Sequence, residues 1–351
     1  MKTSETQDAA SAIMPLTATR EEVSAIARYI KHCDIKIIEE GAVACINAGK
    51  IRQVLLIGSG DSYALALLYA ALINRITSLP ARALQSYEFV SEHTEYLDDS
   101  WLVVVLSASG RASPVVDALI KAQHTNAQVV GITNNSDSLF ATQVKKLLVT
   151  QATKKGMPTQ STLAMAIFLE AIICILQPEY DKQYWPQFRK FCFYAKYLPD
   201  IARLSGSDQM LSHLFTKRVT LLGSGGNLGL ATMLSNLLWC GPQVASQALA
   251  LEEYEHALRL NQAGAQDLVI IFNCTGSPGV LAWHIKQQLI KKNATVLHVD
   301  NQLLSYMFSG HYTAFSSHED CHFYAMLAIF SFIISATEKY LSCGGERISQ
   351  E

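Results

Sequence analysis

Two turns carry hydroxyl groups at a spacing that suits an anion. The first is Gly58-Ser59-Gly60-Asp61-Ser62, and the second is Ser107-Ala108-Ser109-Gly110-Arg111-Ala112-Ser113. A phosphate is held by backbone N–H groups at a helix N-terminus and by small hydroxyl side chains, because the helix dipole and its unpaired donors both favour negative charge there. Glycine lets the backbone come close to such a ligand. Gly58 and Gly60 supply that freedom in the first turn, with Ser62 near the start of a helical stretch. Ser107, Ser109 and Ser113 surround Gly110 in the second, and Arg111 adds a positive charge. Turns of this kind also serve simply to cap helices, and a Gly-x-Gly turn fits a dinucleotide-binding fold as well. The dinucleotide fingerprint, however, calls for further glycines and an acidic residue at the end of the second strand, where this chain has Ser107. Two serine-bearing turns on neighbouring strands point to one compact phosphate rather than a pyrophosphate.

A second group is able to move protons: Glu252-Glu253-Tyr254-Glu255-His256. Histidine beside carboxylates is the usual equipment of general acid–base catalysis, and the same pattern is a solvated helix face when it serves no chemistry. Cys240 ends an apolar helical run, where it packs or, with a depressed pKa, acts as a thiolate base. His318, Asp320, Cys321 and His322 lie close together near the end, but their spacing matches no standard zinc site and no metal is expected. The eight cysteines include no Cys-x-x-Cys pair and read as reduced thiols.

The elements that must position these groups follow from an internal repeat. Gln53–Asp61 resembles Arg218–Gly226, both being apolar runs that end in Gly-Ser-Gly. Leu102–Arg111 resembles Leu268–Ser277, and Gln128–Asn135 resembles Ala294–Asn301, all at an offset of 165 or 166 residues. Continuous apolar, β-branched runs suggest strands buried on both faces of a parallel sheet. Helices are expected over Tyr63–Ile76, Pro114–His124, Leu228–Cys240 and Gly279–Lys291. The fold class is therefore α/β, with two doubly wound parallel-sheet domains related by the repeat. Ligands of such sheets sit at the carboxyl ends of the strands, where both serine-bearing turns fall. In the second half Asn273-Cys-Thr-Gly-Ser277 is only partly hydroxylic and Gly223-Ser-Gly-Gly-Asn227 lacks the matching serine, so phosphate is expected to favour the first half. Ser11–Lys50 reads as leading helices with Thr19 as a cap, Ser161–Leu176 as an apolar helix, Asp181–Ser205 as a helical linker and His322–Leu341 as a closing amphipathic helix.

On these motifs the chain resembles the sugar isomerase (SIS) domain family in its tandem form, over residues 15–345. Its relatives would be the isomerase half of glucosamine-6-phosphate synthase and the fructosamine-6-phosphate deglycases. Ser59-Gly60-Asp61-Ser62-Tyr63 is similar to the family's Cys-Gly-Thr-Ser-Tyr. Ser107-Ala108-Ser109-Gly110-Arg111-Ala112 is similar to its Ser-Gln-Ser-Gly-Glu-Thr, with Ser113 one residue beyond the threonine. Pro158-Thr159-Gln160-Ser161-Thr162 is similar to a third element that opens a helix. Glu253-Tyr-Glu-His256-Ala-Leu258 matches the glutamate and histidine of the segment that carries a ring-opening histidine, without the Gly-Pro that follows it. The resemblance implies that Gly60, Ser62, Ser107, Ser109, Gly110, Ser113 and Thr159 bind a sugar phosphate. It also implies that His256 performs acid–base work, with Glu253 orienting it or acting as base, that no cofactor is needed, and that the chain forms a homodimer. Where relatives carry a proton-transfer glutamate sixteen residues before the histidine, this chain has Cys240. No lysine follows Arg347 in this sequence, and no glutaminase domain is expected.

The expected boundaries are 15–195 for an N-terminal domain with leading helices, 196–345 for a C-terminal domain and 346–351 for a tail. Half of the 351 residues are apolar, 17% are charged and the formal net charge is −2. That balance supports a large core and carries no basic footprint for nucleic acid. The polar N-terminus and the shortness of apolar runs such as Leu163–Leu176 suggest neither a leader nor a membrane segment, and so a cytoplasmic protein. The expected function is a phosphosugar isomerase, deaminase or deglycase acting on a ketosamine or amino-sugar 6-phosphate through ring opening and proton transfer. The alternatives are a non-catalytic sugar-phosphate sensor or regulator and, less favoured by the turns, a dinucleotide-dependent enzyme.

Overall fold

The computed structural model describes residues 16–91, 94–180, 182, 186–188, 191, 195, 206–276, 279–308 and 321–344. The linker expected over Asp181–Ser205 falls largely outside the described residues, as do His318, Asp320 and the tail. Two compact units each carry their own parallel sheet.

The first unit holds Ile26–Lys154 and Gln160–Phe193. Its strands are β1 (Gln53–Gly58), β2 (Ala81–Gln85), β3 (Trp101–Ser107), β4 (Gln128–Thr133) and β5 (Leu147–Val149), in the order β2-β1-β3-β4-β5. Every neighbouring pair is parallel, with Val54 opposite Leu102 and Ser107 opposite Thr133. Alternate residues point to opposite faces of a strand, and here both faces are covered. Leu55, Ile57, Val103 and Val105 pack with Phe89, Val115, Leu119 and Phe140. Val54, Leu56, Leu102 and Val104 are equally removed from solvent, toward helices Asp61–Ile76 and Gln160–Leu176. Each such side chain contributes roughly 1.5–3 kcal/mol on burial, which is why these strands read as unbroken apolar runs.

The second unit holds helix 16–24, Lys155–Thr159 and the described residues from 206 onward. Its strands are β6 (Arg218–Gly223), β7 (Ser246–Ala250), β8 (Asp267–Asn273) and β9 (Thr295–Asp300), again all parallel, in the order β7-β6-β8-β9. That is the first sheet's order without its last strand. Leu222, Val269 and Ile271 pack with Tyr254, Ile285 and Leu289. The repeat extends to the backbone: Gly60 (φ 56°, ψ −126°) and Gly225 (φ 55°, ψ −128°) adopt one conformation before their helices. Thr19 does not cap a helix start but lies inside helix 16–24, where its hydroxyl accepts the Met157 N–H at 2.8 Å. Glu22 accepts the amides of Lys155 (2.6 Å) and Gly156 (3.2 Å).

Three strands lie outside the expected repeat pattern. β2 and β7 carry polar residues and are only partly buried, and β5 is three residues long. Edge strands need no apolar face on both sides, so they lack the signal that marked the central ones. Helix His322–Ser342 is not amphipathic, since every residue from His322 to Ile333 is buried. By length and composition it could cross a membrane, yet 61% of its most apolar window is buried within the fold, as in a core helix.

Candidate functional site

The order of the first sheet reverses between β1 and β3. Helix Asp61–Ile76 leaves β1 toward one face, and helix Pro114–Gln123 leaves β3 toward the other. In a doubly wound sheet this switch opens a crevice at the carboxyl ends of the two strands. Those ends are Gly58 and Ser107, so the two serine-bearing turns flank the crevice.

The first turn is built for close approach. Gly60 has φ +56°, a conformation side-chain-bearing residues rarely adopt. Ser59 is turned aside to bond the Ser86 hydroxyl. Ser62 sits in the first turn of helix Asp61–Ile76, 7% exposed, and its hydroxyl has no partner among the described residues. Its neighbour Tyr63 stays protonated well beyond neutral pH, because burial, reinforced by the charge of Glu88, pushes its phenol up.

The second turn is held from below. Asn134 donates to the Ala108 carbonyl (3.0 Å), and the Phe140 N–H donates to that of Gly110 (3.0 Å). Gly110 has φ +65°, and a Cβ there would lie 2.1 Å from the Ser138 hydroxyl. Ser107 accepts the Gly110 N–H at 3.2 Å, and Ser109 accepts the Arg111 N–H at 3.5 Å. Acting as acceptors, both hydroxyls keep their own hydrogens free to donate. Ser113 instead spends its hydrogen on the Arg111 carbonyl (3.3 Å). The exposed Arg111 side chain makes no ion pair among the described residues. The amides of Ala108 and Ser109 likewise have no partner there. Hydroxyl donors, two amides and one cation without partners among the described residues thus lie on the two turns at the ends of β1 and β3, a composition suited to an anion.

The second unit repeats this framework and closes it. The residue corresponding to Ser62 is Asn227, whose Oδ1 accepts the amides of Cys274 (2.8 Å) and Thr275 (3.1 Å) while its Nδ2 donates to the Thr275 carbonyl (3.0 Å). Cys274 and Thr275 correspond to Ala108 and Ser109. The donors that stand open in the first unit are therefore occupied by a side-chain amide in the second.

The remaining sequence-derived residues lie elsewhere. Thr159 immediately precedes helix Gln160–Leu176, is fully buried, and its hydroxyl has no hydrogen-bond partner. Glu253 and His256 occupy helix Leu251–His256, which starts directly at the carboxyl end of β7. Both are exposed, and neither side chain makes a hydrogen bond or ion pair among the described residues. The ion pair in this cluster is instead Glu255 with His284, at 3.6 Å. Cys240 is the last residue of helix Gly226–Cys240 and half-buried. Among the described residues no group of His, Cys, Asp and Glu has the arrangement of a metal site. Sequence reasoning missed Asn134, Ser138 and Asn227. Each is one polar residue just past a strand or inside a helix, and its role exists only through the loop it meets.

Residues 49–175, which contain the whole crevice, match the SIS domain family. The glutamine–fructose-6-phosphate aminotransferase (isomerizing) of Pyrococcus horikoshii is 30% identical over 103 residues, 29% of this chain and 17% of that one. The chain thus spans about a sixth of that relative's length. Among solved structures, the C-terminal domain of glucosamine-fructose-6-phosphate aminotransferase from Francisella tularensis superposes with a TM-score of 0.71 at 14% identity, over 96% of this chain and 98% of that one. The tagatose-6-phosphate ketose/aldose isomerase of Escherichia coli does so with a TM-score of 0.71 at 17% identity, over 93% of each chain. These likenesses establish the α/β fold with parallel sheets.

Proposed function

Taking residues 49–175 as a SIS domain, we propose that this chain binds a phosphorylated sugar in the β1–β3 crevice and acts on it as an isomerase-type enzyme. The single observation that carries the reading is the open set of donors at Ser62, Ser107, Ser109 and the amides of Ala108 and Ser109. Gly60 and Gly110 shape the turns and Ser113 joins the proposed set, whereas Thr159, fully buried, belongs to it on the family resemblance alone. The substrate class is a ketosamine or amino-sugar 6-phosphate, in keeping with the name of the Pyrococcus relative. Ring opening and proton transfer fall to His256, with Glu253 orienting it or serving as base. In this reading the second unit is a second domain of the same kind that has lost its anion site. A homodimer and a cytoplasmic setting belong to the same proposal.

A second reading has one observation in its favour. Glu253 and His256 are not bonded to each other, and Cys240 stands where a proton-transfer glutamate is expected, so a sugar-phosphate sensor would need nothing more than the crevice. Calorimetry with glucosamine 6-phosphate, fructose 6-phosphate and NAD, followed by turnover assays on the sugars that bind, decides among the readings. Binding of a sugar phosphate with turnover supports the enzyme, and binding without turnover supports the sensor. Binding of NAD alone would overturn both. A lost hydrogen bond to a charged phosphate oxygen costs about 1.5–3 kcal/mol, so Ser107→Ala and Ser109→Ala should each weaken binding roughly tenfold or more.

A further inference from the structure

The second unit contains a cavity of about 590 Å³ that the reading above does not use. It lies beyond the carboxyl ends of β8 and β9, lined by Asn273, Trp283, Lys286, His298, Asp300 and Gln302 among others. Gly279, Trp283 and Lys286 recur at helical spacing, so one face of helix Val280–Lys291 forms a wall. Trp283 is 60% exposed, so its ring is available as an apolar surface on this wall. Opposite it, His298 is 7% exposed at its side chain. Its Nδ1 lies 3.3 Å from the Asp300 carboxylate and 3.4 Å from the Lys286 ammonium, while its Nε2 is buried with no hydrogen-bond partner.

The charge pattern selects the ligand. Asp300 and Lys286 are the one carboxylate and the one ammonium of the lining, and both lie against His298 Nδ1. Their formal charges balance, which leaves no excess positive charge to draw an anion. The loop amides that would grip a phosphate are already taken by Asn227. What remains is an aromatic face with carboxylate and amide side chains around it, the equipment for stacking on a sugar ring and bonding its hydroxyls.

We propose that this cavity is a second ligand site, for an uncharged polyhydroxylated compound rather than a phosphorylated one. The test is ligand-observed NMR and calorimetry on the full chain with D-glucose, D-fructose and sorbitol as probes. At least one should bind saturably, and Trp283→Ala should weaken it tenfold or more. Asp300→Asn keeps the helix cap, because an amide oxygen still accepts the Leu303 N–H, and should also weaken binding tenfold or more. Ser107→Ala with Ser109→Ala should leave this binding unchanged, which separates the site from the β1–β3 crevice whatever the fate of the sugar-phosphate reading. No saturable binding of any probe, loss of binding in the serine variant, or displacement by inorganic phosphate would each overturn the proposal.

Discussion

Asn227 and Thr275 exchange two hydrogen bonds, the Thr275 N–H to Oδ1 at 3.1 Å and Nδ2 to the Thr275 carbonyl at 3.0 Å, and Ser62 and Ser109 exchange none. The two pairs occupy corresponding places in repeated frameworks. A side-chain amide in one unit fills the space and satisfies the donors that the other leaves to a ligand. Asparagine carries two more heavy atoms than serine, and with them it closes the loop that Ser62 leaves open.

That relationship predicts an exchange experiment. Ser62→Asn should bring an amide into the first crevice and weaken sugar-phosphate binding by ten- to a hundredfold, read by calorimetry. Asn227→Ala should expose the buried amides of Cys274 and Thr275 to an unmet desolvation cost of about 1–3 kcal/mol, read as a lower melting temperature. If Ser62→Asn binds like the parent, the crevice is not where phosphate sits.

Gly110 admits no side chain. Its positive φ costs a substituted residue roughly 1–3 kcal/mol, and the new Cβ would meet the Ser138 hydroxyl at 2.1 Å. Gly110→Ala should therefore lower stability in chemical denaturation and abolish sugar-phosphate binding. Adding Ser138→Gly removes the clash but not the backbone strain, so it should restore stability only in part. Full restoration would mean that sterics alone set this turn.

His256→Ala and Glu253→Gln should leave the unfolding free energy within about 0.5 kcal/mol of the parent's, because both side chains are exposed. In the enzyme reading His256→Ala abolishes turnover while binding of the sugar phosphate persists. Turnover retained in His256→Ala would remove the assigned role.

The thiols should separate by environment. Burial pushes the Cys274 thiol up to about 12, with the charge of Asp300 adding to it and a backbone hydrogen bond at Asn273 opposing. Cys343 is exposed. At pH 8 a thiol reagent should modify Cys343 readily and Cys274 only after unfolding. The raised folded value means that the stability tied to the neutral Cys274 thiol is fully present below its unfolded pKa of about 9 and is lost as pH rises from there toward 12. Cys274→Ala should flatten that part of a stability–pH profile, and an unchanged slope would show that Cys274 does not contribute to it.

Much of this was legible in the residues. Runs such as ValLeuLeuIle before Gly58 and LeuValValValLeu before Ser107 announce buried parallel strands, because a strand covered on both faces has no polar positions to interrupt it. Glycines at the strand ends mark the turns, since a positive φ leaves few other choices. Ser62, Ser107 and Ser109 follow from local chemistry: a hydroxyl one to three residues from such a glycine is a donor in the turn. The edge strands β2, β5 and β7 were hidden because partial exposure erases the apolar signature.

By itself, then, the amino-acid sequence determined the α/β class, the repeat, the central strands and the serine-bearing turns, all of which rest on short-range patterns of burial and backbone freedom. Only the tertiary structure decided which turn is open. Asn227 is forty-seven residues from Cys274 along the chain, and Trp283, His298 and Asp300 gather around one cavity from a helix and a strand end. Hydrogen-bond satisfaction and enclosed volume depend on distances across the fold, and residue types and spacing do not encode those locally.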